Sequence, residues 1–553
     1  MAENAAPSRS WSEALAVYMD RRAVVMLFLG FSAGLPYFLI FDTLSAWLRQ
    51  AGLSLELIAF FSLATLAYAF KFLWAPLVDR TAIPGLTRLL GHRRSWMLVV
   101  QGVIIAGLWL VASSDPTRNL PLMAAFAVMT GFASATQDIV IDAWRIEAAS
   151  DTEQGVLAAT YAWGYRVAMV VAGALPLVLA DVFSWSLSYA VMGALMSIGV
   201  LAVLFAPRET AHEIRSIPGN GLPVRPVIER AEWSARFFVL VVGALFLGTG
   251  LSGNTDVLAL TLPSAAAAKL TTAWSSAYGP WLQLGSVIVG FGFIVLSAWP
   301  LPGKKTRPGL FLFHAFGDPL VNFLSRFGRT AGLIIALICV YRISDFVLNL
   351  MNPFYIDLGF SLTEIAEVRK IFGTVMTVLG VFAAGYAIVR WGIMKPLIVG
   401  AFAGPLSNLV FAWLATQGAS IPALTIAIGL DNVAMGFSGT CLIAYMSSLT
   451  AEGFTATQYA LFTSLYAIPG KLLASQSGRI VESAAVSAHE SGLFAPLKSL
   501  FASLPTGALS SGAANAGVSP QALGAGYTVF FMYSFLIGLI AIVLTFMVAA
   551  RQR

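Results

Sequence analysis

Apolar runs of about twenty residues follow one another along nearly the whole chain, separated by short polar stretches, and period-two alternation does not organise them. A hydrocarbon layer of about 30 Å takes roughly 20 apolar residues per helix. The pattern therefore predicts fourteen membrane-spanning helices, at 22–48, 56–78, 95–113, 120–147, 155–181, 187–206, 236–262, 278–300, 330–357, 363–390, 394–416, 420–448, 456–482 and 525–550. Two stretches are predicted not to span. Leu310 to Phe327 reads as an amphipathic segment on the inner surface. Residues 483–524, rich in Ala, Ser, Gly and Pro, read as a loosely ordered periplasmic loop. Met1 to Asp20 is polar and the run after it is too long for a signal-peptide core, so a retained N-terminus is expected.

Composition agrees with a chain that lives in lipid: 58% of its 553 residues are hydrophobic and 11% charged, with a mean hydropathy of +0.80. Soluble domains carry roughly a quarter charged residues. The net charge of +6 invites a nucleic-acid reading, but the basic residues fall mostly in alternate loops, leaving Arg49, Arg118, Lys269 and Lys498 on the other side. That asymmetry is the positive-inside rule, and it predicts both termini in the cytoplasm. Cys339 and Cys441 lie within apolar runs and read as packing residues, neither a disulfide framework nor a zinc site.

An internal repeat organises the helices. Gly52-Leu53-Ser54-Leu55-Glu56-Leu57-Ile58-Ala59 returns as Gly359-Phe360-Ser361-Leu362-Thr363-Glu364-Ile365-Ala366. Thr160-Tyr161-Ala162-Trp163-Gly164-Tyr165-Arg166 lines up with Leu465-Tyr466-Ala467-Ile468-Pro469-Gly470-Lys471 at nearly the same offset, about 306 residues. Six helices precede the gap, so the offset leaves room for one inserted hairpin. An even number of added crossings gives the second half the orientation of the first, which makes parallel repeats. The expected architecture is an all-α polytopic membrane protein resembling the major facilitator arrangement: two six-helix repeats plus an inserted two-helix hairpin. Its divisions would be a cytoplasmic segment 1–21, a bundle 22–206, a linker 207–329 holding the extra helices and the interfacial segment, and a bundle 330–553.

Ionisable groups inside spans draw attention because a charge at the bilayer centre costs at least ~2.5–3.5 kcal/mol. Arg166 sits roughly 16 Å of helix rise into its span, and Lys471 occupies the matching depth in the repeat mate. They suit the carboxylates of an anionic substrate; the plainer alternative pairs each with a neighbouring aspartate. Arg342 and Asp345 stand at i and i+3, where they can neutralise one another. Asp138 and Asp142 share a helix face with Arg145 one turn beyond Asp142. Asp138, the deeper carboxylate, is the candidate for a titrating group. Asp42, Lys71, Lys370 and Asp431 also fall within spans, without an orientation that sequence can supply. Asp79-Arg80, followed by Gly91-His92-Arg93-Arg94 and mirrored by Gly385 and Arg390-Trp391-Gly392, reads as an inner-loop gating cluster with Asp142 and Arg145, or as charge that only fixes topology. Tyr37, Trp163 and Tyr355 belong to a crowd of aromatics that suits sugar rings and peptides, although packing explains any one of them.

Enzyme signals fail. Gly30-Phe31-Ser32-Ala33-Gly34 has the nucleophile-elbow spacing but lies within a helix, where it reads as close helix packing. The histidines, His92, His212, His314 and His489, fall in loops, and no phosphate-binding GxxxxGK[ST] loop occurs. No cofactor or metal is expected, and transport energy would come from a gradient.

Several strings resemble one family, the AmpG muropeptide permeases. They are Leu29-Gly30-Phe31-Ser32-Ala33-Gly34-Leu35-Pro36, Lys71-Phe72-Leu73-Trp74-Ala75-Pro76-Leu77-Val78-Asp79-Arg80, Ala135-Thr136-Gln137-Asp138-Ile139-Val140-Ile141-Asp142-Ala143 and Gly164-Tyr165-Arg166. The second half adds Tyr341-Arg342, Asp345, Pro353-Phe354-Tyr355, Asp357-Leu358-Gly359-Phe360 and Phe454-Thr455-Ala456-Thr457-Gln458-Tyr459-Ala460-Leu461. The resemblance implies a bacterial inner-membrane symporter importing anhydro-muropeptides with protons for cell-wall recycling; a monomer is expected. The resemblance singles out Gln137, Asp138, Asp142 and Arg166 in the first half and Arg342, Asp345 and Lys370 in the second; of these, Gln137, Arg166, Arg342 and Lys370 are expected at the substrate and Asp138 and Asp345 in proton coupling. An acetyl-CoA-type carrier shares the first-half strings and is the alternative within transport; a membrane-embedded transferase or a sensor is the alternative outside it.

Overall fold

The computed structural model describes residues 17–552 apart from 52–67, 69, 149–152, 209–221, 224, 253–254, 260, 277, 300–305, 475 and 506. The described residues form helices and turns, without strands. Eleven of the helical runs among them are long and apolar enough to cross a membrane. These match eleven of the fourteen expected spans. The other three are 22–48, whose helix is broken into segments, 56–78, which lies mostly outside the described residues, and 456–482, whose helix Thr455–Ala474 carries more polar positions. The span expected at 236–262 runs instead over Pro226–Ser252, because its polar first turns, with Glu229, Arg230 and Glu232, extend the helix beyond its apolar part.

Contacts group the chain into two compact units. The first comprises Met1–Ser216, Val381–Pro396 and Gly439–Ser464. Its helices Arg21–Phe38 and Gln154–Val182 cross closely, as the Gly30 and Gly34 spacing predicts: a Cβ on Gly30 would lie 2.1 Å from the carbonyl oxygen of Tyr161. Pro36 has no amide to donate, and the helix loosens just after it into a π turn over Leu39–Thr43. The Leu39 carbonyl, which accepts from the Leu44 amide across that turn, accepts also from the Tyr189 hydroxyl at 2.8 Å, and Thr43 Oγ1 donates to the Ala172 carbonyl at 2.8 Å.

The second unit comprises Ile217–Gly380, Leu397–Ser438 and Leu465–Arg553. It contains the inserted hairpin, Pro226–Ser252 against Gly279–Ala298. A Cβ on Gly290 would stand 2.5 Å from the Leu247 backbone nitrogen, so only glycine allows this approach. Gln283 donates to the Gly250 carbonyl at 2.7 Å and Ser286 to that of Phe246 at 2.6 Å, while Arg236 donates to the carbonyls of Ser297 and Trp299 at the other end. Gly290→Ala is expected to cost about 1–3 kcal/mol by overpacking, read as a lower unfolding midpoint in detergent; an unchanged midpoint would show that the helices part freely.

Residues 483–524 are not the loosely ordered loop that their composition suggests. They belong to helix Ser477–His489, a 3-10 turn Ala495–Phe501, helix Ser510–Ala516 and the start of helix Pro520–Arg551. Phe501 and Leu509 are fully buried in the unit's core. The segment expected to be amphipathic is helical over Arg307–Leu312 and Asp318–Phe327, with Leu320, Val321 and Leu324 exposed.

The repeated Gly359 motif is a helix start. The Ser361 amide and hydroxyl both donate to the Glu364 carboxylate at 2.8 Å, and the Glu364 amide donates back to Ser361 Oγ. Those two donors hold the Glu364 carboxyl below its ordinary range. The first copy, 52–59, lies outside the described residues.

Candidate functional site

Four of the expected gating residues gather in the first unit. The short helix Ala75–Arg80 starts on Pro76, where a missing amide costs nothing, and carries Asp79 in its last turn. Asp79 Oδ1 accepts from Arg93 Nη2 at 2.8 Å, and Arg93 also donates to Glu147 at 2.6 and 3.1 Å. The side chains of Arg93 and Asp79 are 0% and 1% exposed. Asp79 Oδ2 further accepts from the Thr457 amide at 2.8 Å and hydroxyl at 2.7 Å, and Oδ1 from the Ala456 amide at 3.3 Å. The carboxylate thus caps the first turn of helix Thr455–Ala474, whose amides have no partner within their own helix. A carboxylate near a helix N-terminus is legible in the sequence, whereas Glu147 has no signal beyond its place at a helix end and Thr457 none beyond the string that holds it.

Beside this cluster, Asp142 accepts the approach of Arg145 at 3.5 Å and of Lys71 at 4.0 Å. Arg145 donates to Gln154 Oε1 at 3.1 Å and lies over the Tyr459 ring, 5.3 Å from its centroid. One turn earlier, Asp138 Oδ1 is buried without a hydrogen-bond donor among the described residues, and the Tyr161 hydroxyl stands near the same carboxyl. Gln137 is fully buried and donates to Ser32 Oγ at 3.2 Å.

Other expected residues have different surroundings. Arg94 donates to the carbonyls of Val203 and Leu204 at 3.0 and 2.9 Å, closing the end of helix Ser197–Phe205. Arg80 is half-buried and Arg390 exposed at the end of helix Gly373–Trp391. Arg166 is half-buried; Trp163 is exposed and meets Phe382 edge-on, and Tyr37 meets Tyr68 edge-on. The side chains of Lys370 and Lys471 lie outside the described residues, as does that of Asp42.

In the second unit Arg342 and Asp345 form the self-contained pair their spacing allows, although a 3-10 helix starts there in place of a regular α-helix. Asp431 accepts from Ser407 Oγ at 2.9 Å, and both aspartates line a narrow recess with Ser407 and Asn408. Tyr355 is 2% exposed and packs in the core against Phe354.

The family model described as Major Facilitator Superfamily matches residues 81–317. The solved structure of the major facilitator superfamily proton:xylose symporter XylE, bound to 6-bromo-6-deoxy-D-glucose, aligns over 97% of this chain and 95% of its own at a TM-score of 0.51 and 10% identity, a likeness of fold alone.

The chain has the major facilitator fold.

A second family model, described as Acetyl-coenzyme A transporter 1, matches residues 23–117. The AmpG resemblance extends through most of the chain. "Putative transporter AmpG 4" of Rickettsia felis is 27% identical over 468 residues, 84% of this chain and 91% of the relative. The "Anhydromuropeptide permease" of Escherichia coli K12 is 28% identical over 474 residues, 85% of this chain and 76% of the relative. The major facilitator chain is a multi-pass membrane transporter of small molecules and not an enzyme.

Proposed function

We propose that this transporter imports anhydro-muropeptides, N-acetylglucosaminyl-1,6-anhydro-N-acetylmuramic acid and its peptides, from periplasm to cytoplasm together with protons. It would work as a monomer in the bacterial inner membrane, with both termini cytoplasmic. Arg166, Lys471, Gln137, Arg342 and Lys370, with Tyr37, Trp163 and Tyr355, would receive the substrate. Asp138 and Asp345 would carry protons, and Asp79, Arg80, Arg93, Arg94, Asp142, Arg145 and Arg390 would gate alternating access. The observation that carries the reading is Asp138. It lies in the string Ala135–Ala143 that resembles AmpG, and a buried carboxyl oxygen without a donor fits a group that holds a proton. The name of the Escherichia coli relative supports the substrate class.

The test is uptake of labelled disaccharide tripeptide into vesicles. With an inward gradient of about one pH unit, one proton per substrate sustains roughly tenfold accumulation. Asp138→Asn is expected to reduce that ratio to about one, and accumulation that ignores the gradient would remove the symport claim. The match of residues 23–117 to the acetyl-CoA transporter model favours a second reading, transport of an acyl-CoA anion; labelled acetyl-CoA entering the same vesicles would select it.

A further inference from the structure

Asp138 and Asp142 lie one turn apart on helix Leu120–Glu147, so their carboxyl groups share a face. Their surroundings differ. Asp142 has two cations within 4.0 Å, whereas the Asp138 carboxyl takes a hydrogen bond from the Tyr161 hydroxyl, has Lys71 farther off, and keeps its Oδ1 buried with no donor among the described residues. The titratable groups about Asp138 are Lys71, Asp142, Tyr161 and Tyr68, with Tyr37, Tyr165, Arg145 and Tyr459 farther out.

The two cations are held unequally. Arg145 is fixed by Gln154 and by the Tyr459 ring. Lys71 stands in a 3-10 turn, Lys71–Leu73, between the helical residue Phe70 and the start of helix Ala75–Arg80, and its ammonium is 4.0 Å from Asp142, outside hydrogen-bonding distance. Its four-carbon stem lets the charge move without the backbone. If it leaves Asp142, Arg145 remains to balance that carboxylate. If Asp138 loses a proton, a buried anion forms that needs a cation. Lys71 satisfies both conditions.

We propose that Lys71 is the positioning cation of proton release: it rests loosely against Asp142 while Asp138 is protonated, and swings onto Asp138 Oδ1 when that proton leaves. The Asp138 O–H bond breaks with its electron pair retained on the carboxylate, the proton passes to water, and Lys71 stays an ammonium throughout. This inference rests on the proton-carrying role given above to Asp138.

Infrared difference spectra of the full-length protein in lipid nanodiscs, titrated in pH without substrate, test it. The carbonyl stretch of a protonated carboxyl is assigned to Asp138 by its loss in Asp138→Asn. Lys71→Gln is expected to retain that band to about one pH unit or more above the wild-type midpoint, since an opposite charge within ~4–6 Å is removed. Asp142→Asn, which leaves Lys71 one carboxylate where it had two, moves the midpoint acid, and Lys71→Arg keeps it near the wild type. Shifts of opposite sign do not arise from loss of fold. An unmoved midpoint in Lys71→Gln, shifts of the same sign, or no Asp138 band at any pH overturns the proposal. Because these spectra involve no substrate, failure of muropeptide uptake is read separately from failure of the Lys71 assignment.

Discussion

Asp79→Ala is expected to lower the stability of the folded transporter by about 3–5 kcal/mol and to abolish uptake, because it breaks a buried ion pair from one side. Arg93 has a fully buried side chain, and Asp79 and Glu147 are carboxylate partners of it. Without Asp79, the guanidinium keeps Glu147 but faces a void where a charged acceptor stood. The Thr457 amide and hydroxyl lose their acceptor in the same step. Burial makes both losses expensive, since water does not replace the missing oxygen atoms. Asp79→Asn is expected to fall between: its carbonyl still accepts from the helix end, but it offers no charge to Arg93. Two measurements check this. The unfolding midpoint should fall in the order wild type, Asn, Ala. Hydrogen exchange at the amides of Ala456 and Thr457 should quicken most in Asp79→Ala. If those amides stay as protected as in the wild type, the carboxylate is not their cap.

The Asp79 cluster also shows what a sequence of this kind discloses. Asp79, Arg93, Asp142 and Arg145 were legible because charge is rare here, and rare charge near the end of an apolar run stands out. Glu147 was not legible, since an acidic residue at a helix end looks like ordinary solvated polarity until Arg93 is found against it. Thr457 was legible only as part of a string, because a hydroxyl residue at a helix start has many uses. Arg94 has surroundings that adjacency to Arg93 does not disclose: successive helical residues point about 100° apart, and Arg94 reaches the carbonyls of another helix end. The Arg342–Asp345 pair came from spacing alone, yet the 3-10 geometry that carries it has no sequence signal of comparable strength. Helix positions followed the apolar pattern well, whereas the π turn at Leu39–Thr43 meets a partner, Tyr189, that arrives from 150 residues later. Local pattern fixes which segments are helices, and Pro36 marks where this one loosens; the partner that meets the loosened turn comes from far along the chain.

The same limit explains the segment around Phe501, and Phe501→Ala is the expected result that exposes it. Ala, Ser and Gly dominate residues 483–524, so no periodic apolar stripe announces a core. Order comes instead from a few anchors. The Phe501 ring fills the space that a side chain at Gly524 would take, since a Cβ there would lie 2.6 Å from the ring. Around the same core stand Phe530, Phe531, Phe354 and Tyr527. The backbone is tied as well: Leu509 donates its amide to the Asp357 carbonyl at 2.7 Å, and Tyr527 donates its hydroxyl to the Asp357 carboxylate at 2.7 Å. Removing the ring leaves a cavity that the glycine opposite does not fill, and Phe→Ala in such a position costs about 3–5 kcal/mol. The expected outcome is a lower unfolding midpoint together with faster protease cleavage between residues 490 and 519, because the anchor and the order of the segment are lost together. A variant that cleaves faster but melts as the wild type does would mean that the segment is stapled to the unit without supporting it. Phe501→Leu, which restores part of the volume, should recover part of both effects, and a Leu variant as impaired as Ala would show that ring shape, rather than filled space, sets the fit.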